Sequence, residues 1–280
     1  MRETSNPILR SLPKQQGGYA QFGTGMAGAA NQVTFQADPY APQQTGVSRP
    51  LTIDDVVTKT GITLGVLSLT AIISYFLVGS NVALAMPLTL IGSIGGLVMV
   101  LIASFGRKQD NPGIVLTYAA LEGLFLGAVS WLFGNALVQG VSAGALITQA
   151  VLGTIGVFFG MLVVYKTGAI RVTPKFTRMM VASMVGVLVL MLGSMVIGMF
   201  THNPGGPLRD GGTMSIIFSL VVIGIAAFSF LIDFDAADQM IRAGAPEKAA
   251  WGIALGLTVT LVWLYLEILR LLSYFYSSDR

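Results

Sequence analysis

Residues 251–276 read WGIALGLTVTLVWLYLEILRLLSYFY, an apolar run interrupted by only two charges, Glu267 and Arg270. A helix of about 20 mostly apolar residues crosses a bilayer, so this run is long enough to span one. Six runs of the same kind precede it, at about 60–78, 82–105, 114–137, 141–165, 179–200 and 214–232. The connection between the first two is brief (Gly79, Ser80, Asn81), yet merging them would demand one implausibly long helix. Pro87, the proline inside a span, stands near its start, where no backbone donor is lost. The fold class that follows is an all-α integral membrane protein of seven transmembrane helices.

Composition agrees. Of 280 residues, 54% are hydrophobic and 10% charged, whereas a soluble domain carries roughly a quarter charged residues. There is no cysteine, which excludes disulfides, thiolate zinc sites and cysteine nucleophiles. A single histidine, His202, leaves almost no basis for an imidazole metal site or a Ser-His-Asp triad. A formal charge of +3 is too small to suggest nucleic-acid binding.

Residues 1–55 differ from the rest. They hold prolines, glutamines and glycines without apolar periodicity, the pattern of a disordered tail. No apolar core follows the first basic residues, so a cleaved signal peptide is not expected. Thr52, with Asp54 and Asp55, is placed to cap the start of the first helix. Residues 56–280 form the transmembrane domain. Basic residues set its orientation. On the tail's side lie Arg2, Arg10, Lys14, Arg49, Lys59, Arg107, Lys108, Lys166, Arg171, Lys175, Arg178, Arg242 and Lys248; the opposite side has Arg209 and Arg280. The amino terminus is therefore expected in the cytoplasm and the carboxyl terminus outside, in the cell's inner (plasma) membrane.

A carboxylate at mid-bilayer costs roughly 2.5–3.5 kcal/mol on insertion scales, so such groups face a bundle interior or a watery path. Glu122 lies about nine residues into the third span, roughly 13 Å deep, and is either a structural glutamate or part of an ion or proton path. Gly123 and Gly127, four apart, let another helix approach closely. The sixth span ends in Asp233, Asp235 and Asp238. In a helix Asp235 and Asp238 share a face while Asp233 points away, and Asp238 can pair with Arg242 at i+4. Arg107, at the end of the second span, is the candidate counter-charge for Asp233 or Asp235: a latch that protonation of the acid releases. Glu267 is the strongest single signal. It either pairs locally with Arg270 at i+3 or lines a central cavity, because a Glu-Arg pair still loses hydration that protein or water must replace.

The stretch Leu231-Ile232-Asp233-Phe234-Asp235, followed by Leu264-Tyr265-Leu266-Glu267-Ile268-Leu269, resembles the Bax inhibitor-1 (transmembrane Bax inhibitor motif) family, in its bacterial branch. The resemblance implies a fold with the seventh helix central among the other six. It also implies a pH-sensitive calcium leak, gated by two acids that share a proton and by an arginine latch. Glu267 matches the seventh-span acid, Asp233 or Asp235 the sixth-span acid, and Arg107 the latch. The chain departs from that pattern in carrying Glu where Asp is usual, and in the separation of 32 residues between Asp235 and Glu267. A simple hairpin turning near Gly244 would leave Glu267 about 13 residues farther from the turn, roughly 20 Å. The two acids are level only if residues 242–250 make an excursion or a helix breaks.

The resulting expectation is a pH-regulated calcium (cation) leak channel and not an enzyme. It has no cofactor and takes calcium as cargo; the lipid bilayer, calcium ions and protons are its partners, with no nucleic acid. The pH-sensing and ion-path residues are Asp233, Asp235, Glu267 and Glu122, with Arg107 and Arg270 as counter-charges and a weak calcium site at Asp235 and Glu267. Calcium prefers six to eight oxygen ligands; so few acids suit transient binding, as conduction requires. The alternatives are a non-conducting regulator that binds partner proteins and a secondary transporter, although no internal repeat supports the latter. An intramembrane protease would need a Gly-x-Gly-Asp signature, which is absent.

Overall fold

The computed structural model describes residues 49–137, 142–201 and 206–278. The expected disordered tail, up to residue 48, and His202 lie outside the described residues. Seven helices are present: α1 (Ile53–Ser80), α2 (Ala85–Phe105), α3 (Pro112–Trp131), α4 (Ala143–Thr167), α5 (Pro174–Thr201), α6 (Thr213–Arg242) and α7 (Ala250–Ser278). All seven are long and apolar enough to cross a membrane. Among the described residues there is no β-strand, only an isolated bridge between Pro50 and Pro246. The protein is a multi-pass membrane protein.

Local chemistry sets the helix ends. Thr52 and Asp55 form a capping box, Thr52 N donating to Asp55 Oδ2 at 3.0 Å and Asp55 N to Thr52 Oγ1 at 3.3 Å. Helix α1 therefore starts at Ile53, inside the stretch whose composition suggested tail. Asn111 caps α3, with Pro112 at its first position. Gly168, at φ 68°, ends α4 in the left-handed conformation that glycine adopts without strain. Six residues after α3, Leu132–Leu137, wind as a π-turn. Helix α6 runs ten residues beyond the apolar run that ended at Ile232, because polar residues end a span without ending a helix.

In lipid, helices gain little from hiding apolar surface from one another, and close backbone approach takes over. Gly92 of α2 faces α3 so closely that a Cβ there would lie 2.6 Å from Phe125 N and 2.7 Å from Leu121 O. On α3, Gly123 and Gly127 face α1: a Cβ on Gly123 would collide with the Leu67 carbonyl oxygen and one on Gly127 with that of Ala71. Helix α3 thus lies between α1 and α2. Helix α7 has the largest buried share of the seven and packs chiefly on α1, α3, α4 and α6. An aromatic cluster joins α4 to α6, Phe158 standing edge-on to Phe230 (5.4 Å) and Phe234 (5.5 Å).

The α6–α7 connection is tied down on two sides. Leu51 N donates to Ala245 O (2.8 Å) and Glu247 N to Arg49 O (2.9 Å). Lys59 Nζ meets both the Glu247 carbonyl (3.0 Å) and its carboxylate (3.1 Å). Lys248 pairs with Asp110 of the α2–α3 connection at 3.0 Å. That hydrogen bond and the lysine's charge together hold the Asp110 carboxyl below the usual carboxylate range.

Replacing Gly92 by valine should lower stability by about 1–3 kcal/mol through overpacking. Gly156→Ala, which meets nothing within 4 Å, should be neutral or up to about 1 kcal/mol stabilising. Thermal unfolding of both variants in one detergent checks the contrast.

Candidate functional site

Glu267 of α7 is buried, only 2% exposed. Its Oε1 accepts from Arg270 Nη1 at 2.6 Å, one turn along the same helix. A second guanidinium reaches the same oxygen: Arg209 Nη2, at 3.3 Å, from the α5–α6 connection. Oε2 is buried and has no hydrogen-bond partner among the described residues. One carboxylate oxygen thus serves two cations while the other is unsatisfied.

The connection that delivers Arg209 folds back on α5. Leu208 N donates to Ser194 Oγ at 3.2 Å, and Arg209 Nη2 also touches Met191 Sδ at 3.3 Å. Gly206 makes the reversal possible on two counts: its φ is +63°, and a Cβ there would collide with the Ser194 carbonyl oxygen. Asp210 braces the turn before α6, accepting from Gly212 N (2.9 Å) and Ser215 Oγ (2.8 Å), which holds its carboxyl below the ordinary value. Burial and the neighbouring Arg270 push the Arg209 guanidinium down, and Glu267 opposes them. An arginine with these neighbours stays cationic.

Sequence reasoning missed Arg209 as a partner because it lies 58 positions from Glu267. A signal existed. Apart from Arg280, the last residue of the sequence, Arg209 is the one arginine or lysine on the side otherwise empty of positive charge. An exception to the charge bias needs its own reason.

The sixth-helix acids are divided between two faces. Asp233 points at α7 and accepts from Thr260 Oγ1 at 2.7 Å. Asp235 accepts from Gln239 Nε2 at 2.6 Å, Asp238 pairs with Arg242 at 2.8 Å, and Tyr165 of α4 reaches both aspartates (3.5 and 3.3 Å). Helices α6 and α7 are antiparallel, so Asp233 opposite Thr260 fixes their register. Asp235 then lies level with about residue 258, some nine residues or roughly 14 Å along the axis from Glu267. The connection makes no excursion: a 3₁₀ turn, Glu247–Ala249, leads straight into an unbroken α7. The structure therefore does not bring Asp235 and Glu267 together, and no calcium site shared by them is formed. Among the described residues, no group of three or more metal-ligating side chains exists.

Two further candidates stand apart. Glu122 of α3 is half-buried and lies against Gly96 of α2, where a Cβ would run into its Oε2. No counter-charge approaches it among the described residues. Arg107 is exposed, in the left-handed conformation at φ 52°. It lines a small cleft with Asp110, Met240 and Gly252 and pairs with neither Asp233 nor Asp235. The latch expected of Arg107 is not formed, because the α2–α3 turn carries it beyond the aspartates; a different arginine reaches a different acid. Deeper in the bundle, Ser130 of α3 and Tyr265 of α7 share a buried hydrogen bond of 2.7 Å.

The absence of cysteine makes this register directly testable. In an Asp233→Cys/Thr260→Cys variant, oxidation should give an intramolecular disulfide in most molecules, whereas Asp235→Cys/Glu267→Cys should give none. Cross-linking of the second pair instead of the first would show another register.

A model of the family described as Bax inhibitor 1 like matches residues 6–277, nearly the whole chain. An uncharacterized protein of Chlamydia muridarum (strain MoPn / Nigg) is 28% identical over 92 residues, 33% of this chain and 36% of that protein. The chain thus spans about a third of the length of this relative.

Proposed function

The chain belongs to the Bax inhibitor 1 like family, a membrane family, and from that premise we propose that it is a pH-regulated calcium (cation) leak channel of the bacterial inner membrane. In this reading it is not an enzyme, its amino terminus is cytoplasmic and its carboxyl terminus outside, and protons are the gating ligand.

The observation that carries the reading is the Glu267 carboxylate held between Arg270 and Arg209. Ionised, it offsets one of two neighbouring positive charges and tethers the α5–α6 connection to α7. Protonated, it loses that attraction, and the two guanidinium groups repel each other without compensation. The tether then loosens and one end of the bundle opens, a local charge change read out by a mobile element. Acid conditions open the path in this scheme. Asp233, Asp235 and Asp238, spread along α6, supply carboxylate oxygens one or two at a time. Glu122 adds another on α3. Such a series suits passage better than storage, since calcium is held tightly only by six to eight oxygens at once.

A non-conducting regulator that binds partner proteins is the second reading. It is favoured by the placing of the intramembrane acids on separate interfaces.

Calcium entry into proteoliposomes at pH 6 and pH 8 separates the two. The wild type should conduct about tenfold faster at pH 6, and in Glu267→Gln the ratio should fall below about twofold, the population shift expected when one coupled charge is removed. Asp235→Asn should lower the rate at both pH values with the ratio preserved. Flux absent under all conditions would sink the channel; an unchanged ratio in Glu267→Gln would sink Glu267 as sensor.

A further inference from the structure

A cavity of about 550 Å³ opens sideways between α1 and α4, with α3 and α7 as its floor. Its volume falls within the roughly 300–1,000 Å³ range of small-molecule sites. It is elongated, running along α1 from Leu64 to Phe76, about 18 Å at 1.5 Å per residue. That is more than half of a hydrocarbon core of about 30 Å. Its rim carries some of the more exposed apolar side chains of the chain, Phe76 (70%) and Ile72 (56%) on α1 and Ile155 (45%) on α4. Helices α1 and α4 do not pack along each other, so the mouth faces the bilayer interior.

The buried and half-buried polar groups in the wall already have partners, while Ser68 and Thr148 add two exposed hydroxyls at the mouth. Ser130 and Tyr265 bond to each other at 2.7 Å, Thr154 donates to Ala150 O at 2.8 Å, and Tyr75 accepts from Asn135 at 3.3 Å. A water requires two to four polar partners, and an ion requires more. With no carboxylate in the wall and two hydroxyls at its mouth, the cavity offers a cation no adequate ligand set, which separates it from the ion path proposed above. The rest of the wall is chiefly aliphatic, including the buried Leu126, Leu261 and Val262.

We propose that this groove is a binding site for one acyl chain of a bilayer phospholipid, which enters between α1 and α4 and lies against Val262 and Tyr265 of α7. The chemistry commits to a hydrocarbon because the wall is chiefly apolar, carries no charged side chain and keeps its buried polar groups paired. The shape commits to an extended chain. The depth commits to the bilayer, where phospholipid tails are the apolar chains present at the mouth. A seated chain touches four helices at once and so braces α7 two positions before Glu267.

The test uses the full chain in phosphatidylcholine vesicles whose acyl chains carry a diazirine. After illumination, label should appear on Leu126, Leu261 and Val262, which lipid outside the groove cannot touch, as well as on Leu188 and Val189 of the lipid-facing α5. Val151→Trp narrows the mouth from α4 and Ile72→Trp from α1. Each should cut floor labelling by about tenfold, as a bulky ring filling apolar space does, while α5 labelling and the far-ultraviolet helix signal are unchanged. Four results would overturn the proposal: no floor labelling in the wild type, floor labelling insensitive to both tryptophans, labelling by a free fatty acid alone, or cross-links at Ile72 and Phe76 to a second copy of the chain.

Discussion

A charge inside a bilayer must be neutralised or partnered, because neither lipid nor apolar side chains replace its hydration. That constraint shapes the region around Glu267. One partner, Arg270, comes almost free with the helix, three positions along. The other requires the chain to reverse after α5, to place a glycine at positive φ against the Ser194 carbonyl, and to bring Arg209 back to the side of α7. The result is over-supplied with positive charge and under-supplied with donors to Oε2. A site built only for stability would be better balanced. This imbalance is the physical reason for reading it as a responsive element.

The opposite end is built for rigidity. The strap from Arg49 to Leu51, the capping box of α1, and the pairs Lys59–Glu247 and Lys248–Asp110 pin the α6–α7 turn to its neighbours. Individual pairs of this exposure are worth at most about 1 kcal/mol, but together with the backbone bonds they leave the turn little freedom. Pinning the turn fixes the register of α6 on α7, and register decides which acids meet. Asp233 finds Thr260 and Asp235 turns toward Tyr165 and Gln239, so Glu267 is left to the arginines. A carboxylate pair sharing one proton does not arise in this arrangement. An arginine-bound single carboxylate takes its place, and Arg107 is not the arginine involved.

Much of this was legible in the residues. Apolar runs long enough to span, separated by short polar connections, locate all seven helices to within a few positions, except where α1, α5 and α6 continue past the hydrocarbon as ordinary helix. Contacts within one or two turns were also readable: Thr52 with Asp55, Asp238 with Arg242, Glu267 with Arg270, and the close approach allowed by Gly123 and Gly127. Each follows from 3.6 residues per turn. What was not legible depends on which helices become neighbours and at what height. Asp233 meeting Thr260, Glu122 nestling on Gly96 and Arg209 crossing to Glu267 are all long-range, and no periodicity within one segment encodes them.

The account's central claim is that the attraction between Arg209 and the ionised Glu267 holds the protein closed. Calcium flux through Arg209→Ala in proteoliposomes at pH 8 tests it most directly, since Arg270 still pairs with Oε1 of the carboxylate and only the tether is lost. The account predicts that flux at pH 8 rises to within about twofold of the wild-type rate at pH 6, the shift expected when a closed-state contact is removed. Flux at pH 8 indistinguishable from wild type, in a variant that folds and still opens at pH 6, would contradict it.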